Sequence, residues 1–66
     1  AYPWSDRRLK SNIVRVATLD NGLPVYEYDI FGHREIGVMA DEVLKVRPEA
    51  VLLHESGYMM VDYRRI

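Results

Sequence analysis

From Pro24 to Ile30 apolar and polar residues alternate: Tyr26, Tyr28 and Ile30 share one face, and Val25, Glu27 and Asp29 the other. A period of two places successive side chains on opposite faces of a strand, so the segment reads as a half-buried β-strand. Pro24 is tolerated at its start. The preceding stretch, Asn12–Leu19, carries the β-branched residues of a second strand in Ile13, Val14, Val16 and Thr18. Between the two stands Asp20-Asn21-Gly22. Asn-Gly is the strongest short hairpin signal, because a type I′ turn needs positive φ at both central positions. A hairpin is therefore expected here.

Phe31-Gly32-His33-Arg34-Glu35 reads as a turn and Ile36–Met39 as a short buried strand. The period then becomes helical, with Ala40, Val43, Leu44 and Arg47 on one stripe. Asp41 and Glu42 open this helix, Lys45 and Arg47 close it, and Pro48 stops it, so charge and stop signals agree on Ala40–Arg47. Ala50–His54 is strand-like again and Glu55-Ser56-Gly57 turns the chain. Tyr58–Tyr63 alternates Met59, Val61 and Tyr63 against Tyr58, Met60 and Asp62. Ala1–Trp4 reads as an incoming linker, since Pro3 disfavours helix. The expected fold is a small α+β domain of two β-hairpins and one short helix. Its expected core is Leu9, Ile13, Val38, Met39, Val43, Leu44, Val51 and Val61.

Size and charge narrow what such a domain does. A chain of 66 residues buries only about 60% of its unfolded surface, which leaves a marginal core unless something supplements it. There is no cysteine, which excludes disulfides and thiolate metal sites. His33 and His54 stand apart without zinc-ligand spacing, so neither metal nor cofactor is expected. Oligomerisation is the remaining supplement. Nine basic and ten acidic residues are intermixed for a net charge of −1, which argues against a nucleic-acid surface and gives no membrane-binding face. No apolar run approaches the ~20 residues of a membrane span, and no secretory signal is visible. The chain opens at Ala1 without an initiator methionine, as expected of a piece of a longer protein.

The candidate chemistry lies in Ser5-Asp6-Arg7-Arg8-Leu9-Lys10. A serine hydroxyl is a poor nucleophile at neutral pH and needs a base within reach. Lysine serves as that base when burial or neighbouring positive charge lowers its pKa, and Arg7 and Arg8 are at hand for the second. The same residues also read as a helix start. In that reading Ser5 is the N-cap, Asp6 sits at the positive end and Lys10 is solvated. On these residues alone both readings stand.

Four blocks change the balance: SDRRLKSNI at the start, IGVMADEV in the middle, then PEAV, and GYMMVDY near the end. Together, and in this order, they resemble the intramolecular chaperone auto-processing domain. That module is a self-cleaving serine peptidase at the C-terminus of phage tailspikes, tail fibres and neck appendages, with a relative in a membrane-tethered animal transcription factor. The resemblance spans Ser5 to Tyr63. It implies a homotrimer that assists assembly of its own upstream fibre segment and then cuts the chain between Trp4 and Ser5, without a cofactor. Ser5 becomes the nucleophile and Lys10 the general base of a Ser–Lys dyad, with Ser5 attacking either the carbonyl of its own Trp4 or the same bond in a neighbouring protomer. Asp6 either orients Lys10 or holds the turn, while backbone N–H groups near Asp6 and Arg7, or an arginine side chain, supply oxyanion donors.

His33 is either a second proton shuttle or a solvated turn residue, and His54 reads likewise. Asp62 is expected to be a structural partner for an arginine, Arg7 or Arg8, over a catalytic acid. Tyr26, Tyr28, Tyr58 and Tyr63 read as packing or trimer-interface groups, against a sugar-binding platform. On this division residues 1–4 are the flank of the cleavage site. Residues 5–66 are the domain, in a short form that lacks the family's long C-terminal helix. The implied location is the fibre tip of a phage tail, or the host bacterial cytoplasm during assembly. Other tail or baseplate proteins are the implied further partners. The rival expectations are a trimerisation and capping module that never cleaves, and a receptor-binding tip.

Overall fold

The structure is a computed structural model that describes residues 4–66; of the expected linker, Ala1, Tyr2 and Pro3 lie outside the described residues. Strands β1 (Ser11–Thr18), β2 (Pro24–Ile30) and β3 (His33–Gly37) form an antiparallel meander in that order. Helix α1 (Ala40–Val46) follows, and a 3-10 turn at Pro48–Ala50 leads into the hairpin of β4 (Val51–Leu53) and β5 (Met59–Val61). Two further 3-10 turns, at Arg7–Leu9 and Tyr63–Arg65, flank this core. Two small antiparallel sheets and one helix make the domain α+β, as expected.

The first hairpin extends one strand further than the sequence pattern suggests. His33, Arg34 and Glu35 belong to β3, which pairs with β2 from Ile30↔His33 to Tyr26↔Gly37. The connection is only Phe31-Gly32, with φ of +49° and +77°. Two consecutive positive φ values are what a type I′ turn demands. Asp20-Asn21-Gly22 instead sits in a longer loop, closed by the Gly22 amide on the Leu19 carbonyl (2.9 Å) and the Leu19 amide on the Leu23 carbonyl (2.8 Å). Only Gly22 is left-handed there, at φ +89°, while the Asn21 side chain accepts from the Leu23 amide. Glu55-Ser56-Gly57 turns the chain as expected, with the His54 ring nitrogen accepting from the Ser56 amide.

Helix α1 ends at Val46, with Arg47 as its C-cap rather than its last turn. Only Ala40 and Val43 of the expected stripe are buried; Leu44 is 44% exposed. Seven residues make two turns, and one narrow face suffices to meet β4 and β5. Leu23, Val38, Ala40, Val43, Ala50 and Val61 form one apolar cluster, with Val51 and Met59 packed against it. Tyr28, Ile30 and Met39 form the other, joined by Trp4, Leu9, Ile13 and Tyr26. Val38 and Met39 thus point into different clusters, and the extended run from β3 to α1 passes between them. Everything in the candidate site is arranged around that run.

Candidate functional site

Ser5 is fully buried. Its amide donates to the Met59 carbonyl of β5 (3.2 Å), and its carbonyl accepts from the Ala40 amide (2.8 Å). The second bond satisfies the first N–H of α1, one of the four that a helix start leaves without an intrahelical partner. Met39, at the N-cap position, supplies no side-chain bond. Trp4 forms a β-bridge with Met60 and sets its ring edge-on to His54, 4.8 Å between centroids. The peptide bond between Trp4 and Ser5 is therefore flanked on both sides by residues pinned to β5 and α1.

The side chains converge on Val38. Ser5 Oγ lies 3.3 Å from Tyr63 Oη, and the Val38 amide donates to the same Tyr63 oxygen at 3.1 Å. From the other end of this residue the Val38 carbonyl accepts from Lys10 Nζ at 2.7 Å. Lys10 is 8% exposed, which corrects the solvated lysine of the helix-start reading. Its Nζ stands 3.9 Å from the centroid of the Tyr28 ring. Burial pushes the Lys10 ammonium down from 10.5 to about 8, and the positive charge of Arg7 adds to this. Burial likewise raises the Tyr28 hydroxyl above its ordinary value, with Tyr63 reinforcing it. Ser5 and Lys10 are thus brought into one buried cluster, linked through Val38 and Tyr63 rather than by a bond of their own.

Asp6, not Ser5, is the cap of the 3-10 turn at Arg7–Leu9. Its carboxylate is 1% exposed and accepts from the Arg8 amide, Arg8 Nε, Arg8 Nη2 and the Met59 amide, all within 2.9–3.0 Å. Of its two expected tasks it therefore holds the turn, and fastens it to β5. Arg8 also reaches the Gly57 carbonyl at 2.8 Å. With its charge paired to Asp6, it does not figure among the groups that lower the Lys10 pKa. Arg7 does, from a position beside Asp41 (3.5 Å) and Glu42 (4.0 Å).

The remaining candidates fall elsewhere. His33 begins β3, exposed and four residues from Gly37, about 13 Å along the strand at roughly 3.3 Å per residue. Asp62 pairs with Arg64 and Arg65, not with Arg7 or Arg8, because the chain turns immediately after it. Tyr63 stands in that turn, outside β5. Tyr28 is 3% exposed and Tyr63 is directed at Ser5, so these two pack inward, while Tyr26 and Tyr58 are half-buried. The residues missed by sequence are Tyr63, Val38 and Gly37. Gly37 has a readable requirement: a Cβ there would overlap the Tyr63 hydroxyl and stand 2.6 Å from Tyr28 Oη.

Compared with protein-family models, residues 5–52 match the peptidase family described as chaperone of endosialidase. The matched stretch opens at Ser5, contains Lys10, Gly37 and Val38, and ends before Tyr63. No curated protein and no solved structure matches the chain.

Proposed function

Because the chain belongs to the chaperone-of-endosialidase family, we propose that it is an intramolecular chaperone that cuts its own chain between Trp4 and Ser5. Ser5 is the nucleophile and Lys10 the general base. The observation that carries this reading is the complete burial of Ser5 in one cluster with a lysine whose pKa has fallen to about 8. A peptidase that acts on foreign chains needs a cleft open to them. A sealed serine has only the peptide bond already attached to it.

The steps follow from the chemistry. The neutral Lys10 amine takes the Ser5 hydroxyl proton as Oγ attacks the Trp4 carbonyl carbon. Lys10 Nζ first leaves the Val38 carbonyl, a swing that its flexible four-carbon stem permits. The C–N bond then breaks, and the Ser5 nitrogen leaves as an amine by taking the proton back from the Lys10 ammonium. The Trp4 acyl group is now an ester on Ser5 Oγ. Water hydrolyses it, leaving a Trp4 carboxylate and a free Ser5 hydroxyl. The developing oxyanion requires preorganised donors, a task for the backbone amides of Asp6 and Arg7 or for an arginine side chain.

In this reading the domain is a homotrimer at the end of a phage tail fibre or tailspike. It helps the fibre segment before it to fold, and cleavage then removes the assembling partner. A second reading, a trimerising cap that does not cleave, is favoured by one feature: the hydrogen bonds of Ser5 Oγ and Lys10 Nζ go to Tyr63 and Val38, not to each other. Intact mass measurement of the chain with its natural upstream segment, beside Ser5→Ala, separates them. Self-cleavage predicts a break before Ser5 in the wild type alone. An uncut wild-type chain running as a trimer establishes the cap, and a cut Ser5→Ala chain rules out Ser5 as nucleophile.

A further inference from the structure

We infer that Tyr63 is the positioning residue of the Ser5 nucleophile, and that residue 37 is glycine to leave room for its hydroxyl. The inference rests on the self-cleavage reading above. A tyrosine used only for packing has no need to insert its hydroxyl among backbone groups. Here Tyr63 Oη receives the Val38 N–H at 3.1 Å and meets Ser5 Oγ at 3.3 Å. The Val38 N–H occupies one lone pair and fixes where the oxygen sits. Whether Oη then donates to Ser5 Oγ or accepts from it, the bond selects one serine rotamer among the three staggered wells. Holding the nucleophile in one rotamer removes the entropy of sampling three before attack.

The placement is built from far along the chain, 58 residues from Ser5. The Asp62 amide is bonded to the Ala50 carbonyl (2.7 Å), and the Asp62 side chain caps the turn through the Arg64 amide (3.1 Å). This turn sends Tyr63 back across the end of β3. There the lack of a side chain at Gly37 admits both tyrosine hydroxyls. Val38 consequently serves both partners, its N–H seating the group that holds Ser5 and its C=O seating Lys10.

The test measures self-cleavage of the chain with its natural upstream segment against pH, for the wild type, Tyr63→Phe, Tyr63→Leu and Gly37→Ala. Tyr63→Phe keeps the ring and removes one oxygen. It is expected to slow cleavage about 100-fold, the scale of a small misplacement, and to be as slow as Tyr63→Leu. Its pH midpoint should stay at the wild-type value, since Lys10 remains buried. Gly37→Ala, which displaces the hydroxyl without removing it, is expected to be slow as well, and it decides the matter if Tyr63→Phe does not fold. A Tyr63→Phe chain that cleaves at the wild-type rate overturns the inference. So does a slow one whose midpoint has climbed toward that of a solvated lysine, because the site has then opened rather than lost an aiming group. If the wild type itself is uncut, the self-cleavage reading fails and the role of Tyr63 falls with it.

Discussion

Lys10→Met is expected to leave the chain uncut at every pH while making the fold no less stable near neutrality. Methionine has a similar length and no amine, so it fills the same space beside Tyr28. The losses are the charge-assisted hydrogen bond to the Val38 carbonyl, about 1.5–3 kcal/mol, and the ammonium's contact with the Tyr28 ring. The gain is that no charge is buried. In the wild type, with the Lys10 pKa at about 8, roughly a tenth of the chains carry the free amine at pH 7. Cleavage should therefore rise about elevenfold from pH 7, with its midpoint at about 8, and level off about one unit above that. Stability moves in the same direction. The unfolded chain holds this proton up to 10.5 and the folded chain only to about 8, so wild-type stability increases as pH climbs between these values. Rates by intact mass and thermal melts at stepped pH check both halves. A flat cleavage profile, or a Lys10→Met chain that melts well below wild type at neutral pH, sinks the assignment of Lys10 as a buried base.

Much of this architecture was legible in the residues. The alternation through Pro24–Ile30 put Tyr28 and Ile30 on one face, and both are buried. Charge and proline placed α1 to within a residue. The pattern reads the next strand at Ile36–Met39, whereas β3 runs His33–Gly37 and Val38 and Met39 follow it. The cause is that polar residues fill the first half of β3 and its type I′ turn is Phe31-Gly32, with a bulky residue where asparagine or glycine is usual. Leu44 faced solvent because a two-turn helix covers its hairpin with one narrow stripe. In the site, the sequence put Ser5 and Lys10 forward chiefly through family resemblance. Local pattern cannot reveal Tyr63, since its contact with Ser5 crosses almost the whole chain. Asp6 and Asp62 illustrate a nearer failure. Each was open to several partners, and each is claimed by the arginine two residues on because a 3-10 turn brings those residues together.

The largest expected effect on stability belongs to Asp6→Ala. The carboxylate is 1% exposed and joins the turn after Ser5 to β5 through the Met59 amide at 3.0 Å. It also holds the Arg8 amide and side chain. Removing it strands two backbone donors in a part-buried region and frees the guanidinium, a loss of about 3 kcal/mol. A domain of this size has only about 3–10 kcal/mol in total. The melting point should fall by about 12–24 °C, measured in a Ser5→Ala background so that all chains are uncut. Arg8→Ala should cost less, because Asp6 keeps its two backbone donors. The Arg8 side-chain bond, helped by the amides of Arg8 and Met59, holds the Asp6 carboxyl well below the usual carboxylate range. Its stabilisation is therefore complete above about 3.8, the ordinary value, and erodes as pH falls below it. The Asp6→Ala chain should lack that acid-sensitive part. Because the same carboxylate fixes the strand that receives the Ser5 amide, any Asp6→Ala chain that still folds should also cleave slowly. An Asp6→Ala melt within a few degrees of its parent would remove Asp6 from the framework of the site.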